Sequence, residues 1–291
     1  MCDFDTEHAA EEFRSRQALS RRQFGAFGAA LGMGVLLPRA ASAQAVTESD
    51  VLIKTPDGEA DCYFVHPSQG SSAAVLVWPD IFGLRPAFRA MGKRLAESGY
   101  AVLVVNPFYR GAKAPVVQPG DTFQSPDFQA RVMPLARALN ATTHVTDAEA
   151  FVSWLDAQPA VDKRRKIGTS GYCMGGPMVM RTAAALPERI GAAAIFHGGN
   201  GLANGNADSP HLLVPRMKAS YLVAVADNDD KQDPGVKDKL KAAFASASLP
   251  AEIEVYPALH GWCPPDGGSY DEAQAEKAWS RMLAIFAPAL A

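Results

Sequence analysis

The sequence predicts an α/β fold, with a mostly parallel β-sheet covered by helices on both faces. Strand-like and helix-like segments alternate from residue 51 onward. Two strand-like segments, 73–78 and 100–105, are apolar throughout, as expected of strands buried on both faces. The 291 residues are 48% hydrophobic and 20% charged, which provides enough apolar material for one large core.

The elements follow one another in a regular order. An opening hairpin, 51–54 and 59–66, turns at Pro56-Asp57-Gly58, where Pro fixes φ and Gly permits a positive φ. The further predicted strands are 73–78, 100–105, 166–169, 190–196, 220–225 and 251–256, and the predicted helices are 86–98, 144–155, 177–186, 236–247 and 271–286. Two long loops, 107–128 and 198–215, follow strands, where open α/β sheets bind their ligands.

The first 43 residues are expected to be a cleavable export signal. Ser20-Arg21-Arg22-Gln23-Phe24 contains adjacent arginines, an uncharged stretch runs from 23 to 38, and Ala41-Ser42-Ala43 offers a cleavage site. This order resembles a twin-arginine (Tat) signal, so the Tat export machinery is an expected partner and the location is periplasmic or secreted. The uncharged stretch is shorter than the roughly 20 residues that span a bilayer, so we expect no stable membrane anchor after cleavage. Residues 44–291 are predicted to form a single domain.

The net charge bears on which partners the protein binds, and the number of cysteines bears on whether its thiols are paired. The net charge of -3 and the lack of a basic run make nucleic acid an unexpected partner. Cys2 leaves with the signal, and the odd number that remains (Cys62, Cys173 and Cys263) requires at least one unpaired thiol. Cys62 and Cys263 either form a disulfide or are two buried cysteines, and the sequence leaves both possibilities open.

The segment Gly171-Tyr172-Cys173-Met174-Gly175-Gly176 carries the strongest chemical signal. It follows a short strand and opens a helix, the context of a nucleophile elbow. Small residues on either side let the chain turn sharply, and the helix N-terminus favours developing negative charge. Cysteine stands where serine is common, and its thiolate is the better nucleophile. Alone, the pattern fits a structural cysteine in a tight turn about as well.

Partners for Cys173 are present in the required order, in which an acid and then a histidine follow the nucleophile. The acidic run 227–230 follows one predicted strand and His260 follows the next. In a parallel sheet both would lie at the carboxyl ends of the strands, beside the elbow. The other histidines after residue 43 fit this order less well: His66, His144, His197 and His211. No two show metal-ligand spacing, so we expect no zinc site.

Over about residues 51–286 the sequence resembles the dienelactone hydrolase (carboxymethylenebutenolidase-like) family. The resemblance lies in Asp80-Ile81-Phe82-Gly83, Gly171–Gly176, Ala226-Asp227-Asn228-Asp229 and His260-Gly261. It implies an α/β-hydrolase fold and hydrolysis of an ester or lactone without a metal or organic cofactor. Carried onto matching positions, it implies a triad of Cys173, Asp229 and His260, with an oxyanion hole from the backbone N–H groups of Ile81 and Met174. Asp227 and Asp230 remain alternatives to Asp229.

Two departures from the family concern thiol control and substrate. The family usually has glutamate at the position of Asp80, where the side chain helps control the resting thiol; a simple turn residue is the alternative. Its best-known members bind a substrate carboxylate with arginines, one shortly after the histidine, and the stretch 260–266 contains none. Arg110 is either a substitute anion contact or a solvated loop charge, and Tyr109 and Trp262 are further candidates for supporting or substrate contacts.

The predicted function is therefore cysteine-dependent hydrolysis of a small-molecule ester or lactone through a thioester intermediate. A Cys-His-Glu glutaminase (amidase) is disfavoured, because its acid sits just after the histidine, whereas Gly261 and Trp262 follow His260. An exported binding protein that keeps the fold without catalysis is the other alternative, and the filled triad positions argue against it.

Overall fold

The computed structural model describes residues 44–291; the predicted export signal, residues 1–43, lies outside the described residues. The strands are β1 (Val46–Thr55), β2 (Gly58–Pro67), β3 (Ala74–Trp78), β4 (Ala101–Val104), β5 (Ile167–Tyr172), β6 (Ile190–Phe196), β7 (Ser220–Ala226) and β8 (Ala251–Tyr256). The α-helices are α1 (Pro86–Glu97), α2 (Pro126–Ala138), α3 (Ala141–Asp156), α4 (Gly175–Ala185), α5 (Asp227–Gln232), α6 (Gly235–Ser246) and α7 (Glu272–Ala289). Among these helices none is long and apolar enough to cross a membrane.

All eight strands form one sheet in the order β1-β2-β4-β3-β5-β6-β7-β8. The β1–β2 hairpin is antiparallel, and β2 pairs antiparallel with β4. Every other neighbouring pair is parallel. The predicted mostly parallel sheet is therefore confirmed. Because these strands are parallel, the carboxyl ends of β3, β5, β6, β7 and β8 lie at the same edge of the sheet.

Helices cover both faces of this sheet, because alternate residues of a strand point to opposite sides. Leu76 of β3 belongs to one buried cluster and Val75 to the other. Phe151 of α3, Val179 of α4 and Phe244 of α6 pack on the Leu76 face. Phe88 and Leu95 of α1 pack with Met282 and Phe286 of α7 on the Val75 face. Burial on both sides explains the continuous apolar runs of the central strands.

The two predicted long loops contain or lead into helices that the sequence did not predict. The first loop ends at Pro126, where α2 begins. Proline is favourable at the first helical position, because the backbone N–H that it lacks would have no partner within the helix. Pro134 inside this helix obscures its helical pattern. The second loop contains 3-10 helices at Gly199–Gly201 and Pro210–Arg216. The acidic run after β7 is itself the short helix α5.

Candidate active site

Cys173 occupies a strained turn between β5 and α4. Its φ of 51° lies in the left-handed region, which residues other than glycine adopt rarely and mostly at functional sites. The Cys173 N–H donates to the carbonyl of Phe196 at 3.0 Å, and the Gly176 N–H donates to the Cys173 carbonyl at 3.0 Å. Strand β6 and helix α4 therefore hold the turn, and Cys173 lies just before the N-terminus of α4.

The two glycines that flank Cys173 are required by close backbone contacts. A Cβ atom on Gly171 would lie 2.4 Å from the carbonyl oxygen of Gly175. One on Gly175 would lie 2.3 Å from the carbonyl oxygen of Trp78, at the end of β3. Both distances are far below van der Waals contact. The Gly-x-Cys-x-Gly spacing thus follows from how tightly β3, β5 and α4 approach one another.

His260 is bound by Asp229. Its Nδ1 lies 2.8 Å and 3.0 Å from the two carboxylate oxygens of Asp229. The backbone N–H of His260 donates to the side chain of Asn228 at 2.8 Å. Because a carboxylate accepts hydrogen bonds, this contact places the imidazole proton on Nδ1 and leaves the basic lone pair on Nε2.

The neighbouring aspartates have other partners. Asp227 pairs with Lys231 at 2.6 Å, and Asp230 pairs with Lys237 at 2.8 Å. Among the three alternatives that the sequence left open, Asp229 is therefore the one that contacts His260. Cys173 follows β5, Asp229 follows β7 and His260 follows β8, so the parallel sheet brings all three to one edge. Their catalytic roles stay predictions.

His197 belongs to this edge, although chain order gave no reason to place it there. It follows β6, is fully buried and has a φ of 41°. Its ring centroid lies 5.0 Å from that of His260 and 5.0 Å from that of Trp262. Burial lowers the pKa of His197 well below its ordinary value, so the ring is neutral. Its position after a strand between β5 and β7 is the sequence signal that would have found it.

Trp262 is linked to His260 through the ring of His197. Its indole is fully buried and stacks on Tyr256, with ring centroids 5.4 Å apart and an interplanar angle of 15°. The edge contact with His197 completes a packed column from Tyr256 through Trp262 and His197 to His260. This arrangement favours the supporting role over substrate contact for Trp262.

The predicted oxyanion-hole residues, Ile81 and Met174, follow the neighbouring strands β3 and β5. Ile81 follows β3, where the Phe82 N–H donates to the Asp80 carboxylate and the Gly83 N–H to the Asp80 carbonyl, both at 2.9 Å. Met174 follows Cys173, at the end of the adjacent strand β5. The turn geometry thus puts both residues at the same edge as Cys173, and their role as oxyanion donors stays a prediction.

Asp80 forms a buried ion pair. Its two carboxylate oxygens accept from the Arg85 guanidinium at 2.6 Å and 3.0 Å. Arg85 also binds Asp266 at 2.7 Å and 3.0 Å. Burial raises the pKa of the Asp80 carboxyl, and Arg85 opposes that shift. The Asp80–Arg85–Asp266 bridge therefore ties the turn after β3 to the segment that follows His260.

Arg110 and Tyr109 are held on the opening hairpin and α3. The Arg110 guanidinium donates to Asp57 at 2.6 Å and to Asp147 at 2.7 Å and 2.8 Å. The Tyr109 hydroxyl donates to Asp147 at 2.7 Å and contacts the Thr55 hydroxyl at 2.8 Å. Arg110 is thus bound by two carboxylates in this structure, and its role as an anion contact stays a prediction.

An apolar wall lies against the predicted oxyanion-hole residues. Phe108 and Phe128 are buried in a small separate cluster, onto which Ile81 and Met174 pack. The Phe82 ring stacks on that of Phe128 with centroids 4.7 Å apart. The wall comes from the segment between β4 and α3, the region that the sequence predicted as a long loop after a strand.

The two cysteines outside the elbow are buried thiols. Within residues 44–291 the optional Cys62–Cys263 disulfide is not formed, because the two side chains belong to clusters on opposite faces of the sheet. Burial raises the pKa of both thiols above the ordinary value, so neither resembles an activated nucleophile.

Comparison with known proteins assigns the family. The model of the dienelactone hydrolase family matches residues 60–290. The chain belongs to the dienelactone hydrolase family. It is 27% identical to the carboxymethylenebutenolidase of Rhodococcus opacus over 231 residues, covering 77% of this chain and 84% of that relative.

Solved structures show the α/β-hydrolase fold. A dienelactone hydrolase-like protein from Klebsiella pneumoniae subsp. pneumoniae superposes with a TM-score of 0.71 at 23% identity, covering 84% of this chain and 99% of that one. A dienelactone hydrolase-like promiscuous phosphotriesterase from metagenomic libraries gives a TM-score of 0.68 at 20% identity, covering 85% and 100%. The predicted fold is thereby confirmed, and the family membership makes the protein a dienelactone hydrolase-like hydrolase.

The elbow contacts predict that Gly175→Ala destabilises the protein, because the new Cβ collides with the backbone of β3. We expect a loss of about 1–3 kcal/mol in the free energy of unfolding, measured by urea denaturation. Gly205→Ala is the matched control, since a Cβ there meets no atom within 4 Å. Equal stabilities of the two variants would contradict the steric account.

The buried bridge predicts that Arg85→Met costs about 3–5 kcal/mol, because it leaves Asp80 unpaired. The folded-state pKa of Asp80 in this variant would lie above its unfolded value. The loss should therefore be full at neutral pH and shrink as the pH falls through that raised pKa. Urea denaturation from pH 7 to pH 4 measures this. The double variant Asp80→Asn/Arg85→Met should recover most of the stability, and a loss independent of pH would count against the explanation.

Proposed function

We propose that this protein is a cysteine-dependent hydrolase of uncharged esters or lactones. One observation carries the proposal: the Asp229–His260 pair and the strained Cys173 lie at the same edge of a parallel sheet. A strained cysteine conformation persists only where the surrounding structure enforces it. Here the strained position lies at the same sheet edge as a histidine that Asp229 orients, and this supports a role in nucleophilic catalysis.

In the proposed mechanism His260 takes the Cys173 proton at Nε2 while Asp229 stabilises the resulting imidazolium. The thiolate attacks the ester carbonyl carbon, and the backbone N–H groups of Ile81 and Met174 stabilise the oxyanion. Collapse breaks the bond to the leaving oxygen, which takes the proton from His260 and departs as an alcohol. A water that His260 deprotonates then attacks the thioester, releases the carboxylic acid and restores the thiol.

The charges around the site favour an uncharged substrate. Each of the two arginines is already bound by two carboxylates, Arg85 by Asp80 and Asp266 and Arg110 by Asp57 and Asp147. A substrate carboxylate would have to displace one of these partners, which leaves a carboxylate without its cation. The apolar wall beside Ile81 and Met174 instead suits an aliphatic or aromatic acyl group. A dienelactone carrying a free carboxylate fits this surface less well than a neutral ester or lactone.

The experiment compares the mature protein with Cys173→Ala and Cys173→Ser on neutral p-nitrophenyl butyrate and on a p-nitrophenyl ester whose acyl chain ends in a carboxylate. We expect kcat/KM on the butyrate to fall at least about 10³-fold in Cys173→Ala, because the nucleophile is removed. Intact-mass analysis after acid quench should show an acyl adduct in the wild type. The butyrate should be preferred over the charged ester.

Cys62→Ala is the matched control, since it removes a buried thiol of β2, three strands away from β5 in the sheet, and should leave turnover unchanged. Equal turnover in wild type and Cys173→Ala would exclude the mechanism. Turnover in none of the proteins would favour the binding-protein alternative.

We further propose that residues 1–43 direct export through the Tat machinery and that the mature protein is periplasmic or secreted. The adjacent arginines and the Ala41-Ser42-Ala43 site support this. Arg21→Lys/Arg22→Lys should retain the full-length chain in the cytoplasm, because Tat recognition reads the arginine pair. Cell fractionation and N-terminal sequencing measure this, with a new N-terminus at Gln44 expected for the wild type. Unchanged export of the double-lysine variant would exclude the Tat route.

A further inference from the structure

A cavity lies between α1 and α7 on the Val75 face of the sheet, next to the carboxyl ends of β5 and β6. Its volume is about 200 Å³. Its floor is formed by the buried side chains of Tyr172, Phe196 and Cys263, and its rim by the exposed side chains of Arg94, Tyr270 and Glu276. We propose that this cavity binds a neutral molecule containing a single aromatic ring.

The lining carries no unbalanced charge. Arg94 and Glu276 form a bidentate ion pair with both contacts at 2.6 Å. The Arg94 guanidinium also lies 4.4 Å from the ring centroid of Trp279, so the pair is held across the rim. Burial raises the pKa of the Cys263 thiol and of the Tyr172 phenol, so both are uncharged at neutral pH. A charged ligand would therefore lose its hydration without gaining a counter-charge.

Size and shape select a single ring. An apolar cavity of about 150 Å³ is known to hold benzene, whereas drug-sized ligands need roughly 300–1,000 Å³. A cavity of about 200 Å³ therefore has room for one ring and a small substituent. Tyr172, Phe196 and Trp279 offer aromatic edges and faces, and the Met91 thioether adds a polarizable contact.

The cavity borders the backbone that positions the candidate active site. Tyr172 directly precedes Cys173, and the Phe196 carbonyl accepts the hydrogen bond from the Cys173 N–H. Cys263 lies in the segment that leads away from His260. A bound ring would thus contact residues adjacent to Cys173 and His197 and close to His260. Any effect of this ligand on turnover rests on the proposed function, whereas its binding does not.

The test is a fluorine NMR titration with 4-fluorobenzyl alcohol, carried out on the mature protein and repeated in Cys173→Ala. Ala275→Phe fills the cavity from α7, because the half-buried Ala275 is part of its lining. Ala273→Phe is the matched control, an exposed alanine on the same helix. We expect saturable binding to the wild type and to Ala273→Phe, and a Kd at least about tenfold higher for Ala275→Phe. The charged analogue 4-fluorobenzoate should bind at least about tenfold more weakly than the alcohol.

The proposal fails if Ala275→Phe binds the alcohol as tightly as the wild type, which would place the probe elsewhere, or if the wild type shows no saturable binding. Equal affinity for 4-fluorobenzoate would overturn the neutral ligand class. If Ala275→Phe loses its cooperative thermal transition, Ala90→Phe fills the cavity from α1 and carries the same expectation. Binding that survives in Cys173→Ala keeps this result independent of whether hydrolysis is observed.

Discussion

The parallel pairing of β5, β6, β7 and β8 is the constraint on which the candidate site depends. Each pair is in register up to or near the carboxyl end, so the residues that follow these strands emerge side by side. The three alanines within β6 are buried, Ala193 on one face of the sheet and Ala192 and Ala194 on the other. Residues far apart in sequence then share one edge without a dedicated binding domain. The polar residues that meet at that edge are those that follow the four strands: Cys173, His197, Asp229 and His260.

Two residues at this edge have a strained backbone conformation, and hydrogen bonds to neighbouring residues stabilise both. Cys173 and His197 both have positive φ values without being glycine. The Phe196 carbonyl holds the first, and the Ala224 carbonyl accepts from the His197 N–H at 2.9 Å. Each strained residue is therefore fixed by a hydrogen bond to the next strand. Because the sheet itself supplies these bonds, loosening β6 would disturb both residues at once.

The sequence predicts the sheet, the elbow and the residues of the acid–base pair because these follow from local patterns. Apolar runs mark buried strands, glycines mark the sharp turn, and chain order selects His260 over the other histidines. It could not choose among three adjacent aspartates, since that choice depends on where α5 points each side chain. It also missed α2, whose prolines look like loop residues. The sequence also could not predict that Asp266 binds Arg85 and that Asp57 binds Arg110. These aspartates are distant in sequence from the arginines and come close to them only in the folded chain.

The carboxylate contacts of Arg85 and Arg110 also bear on the substrate specificity of the proposed function. A guanidinium bound by two carboxylates has little remaining capacity for a third anion, and Arg85 is additionally buried. In the segment after His260, Asp266 binds Arg85, so the charge of this aspartate is paired within the protein. Under the proposed function, the surface that recognises the substrate is the apolar wall of Phe108 and Phe128, on which the Phe82 ring stacks. Under the proposed function, selection at this edge rests on the shape and the desolvation of the acyl group.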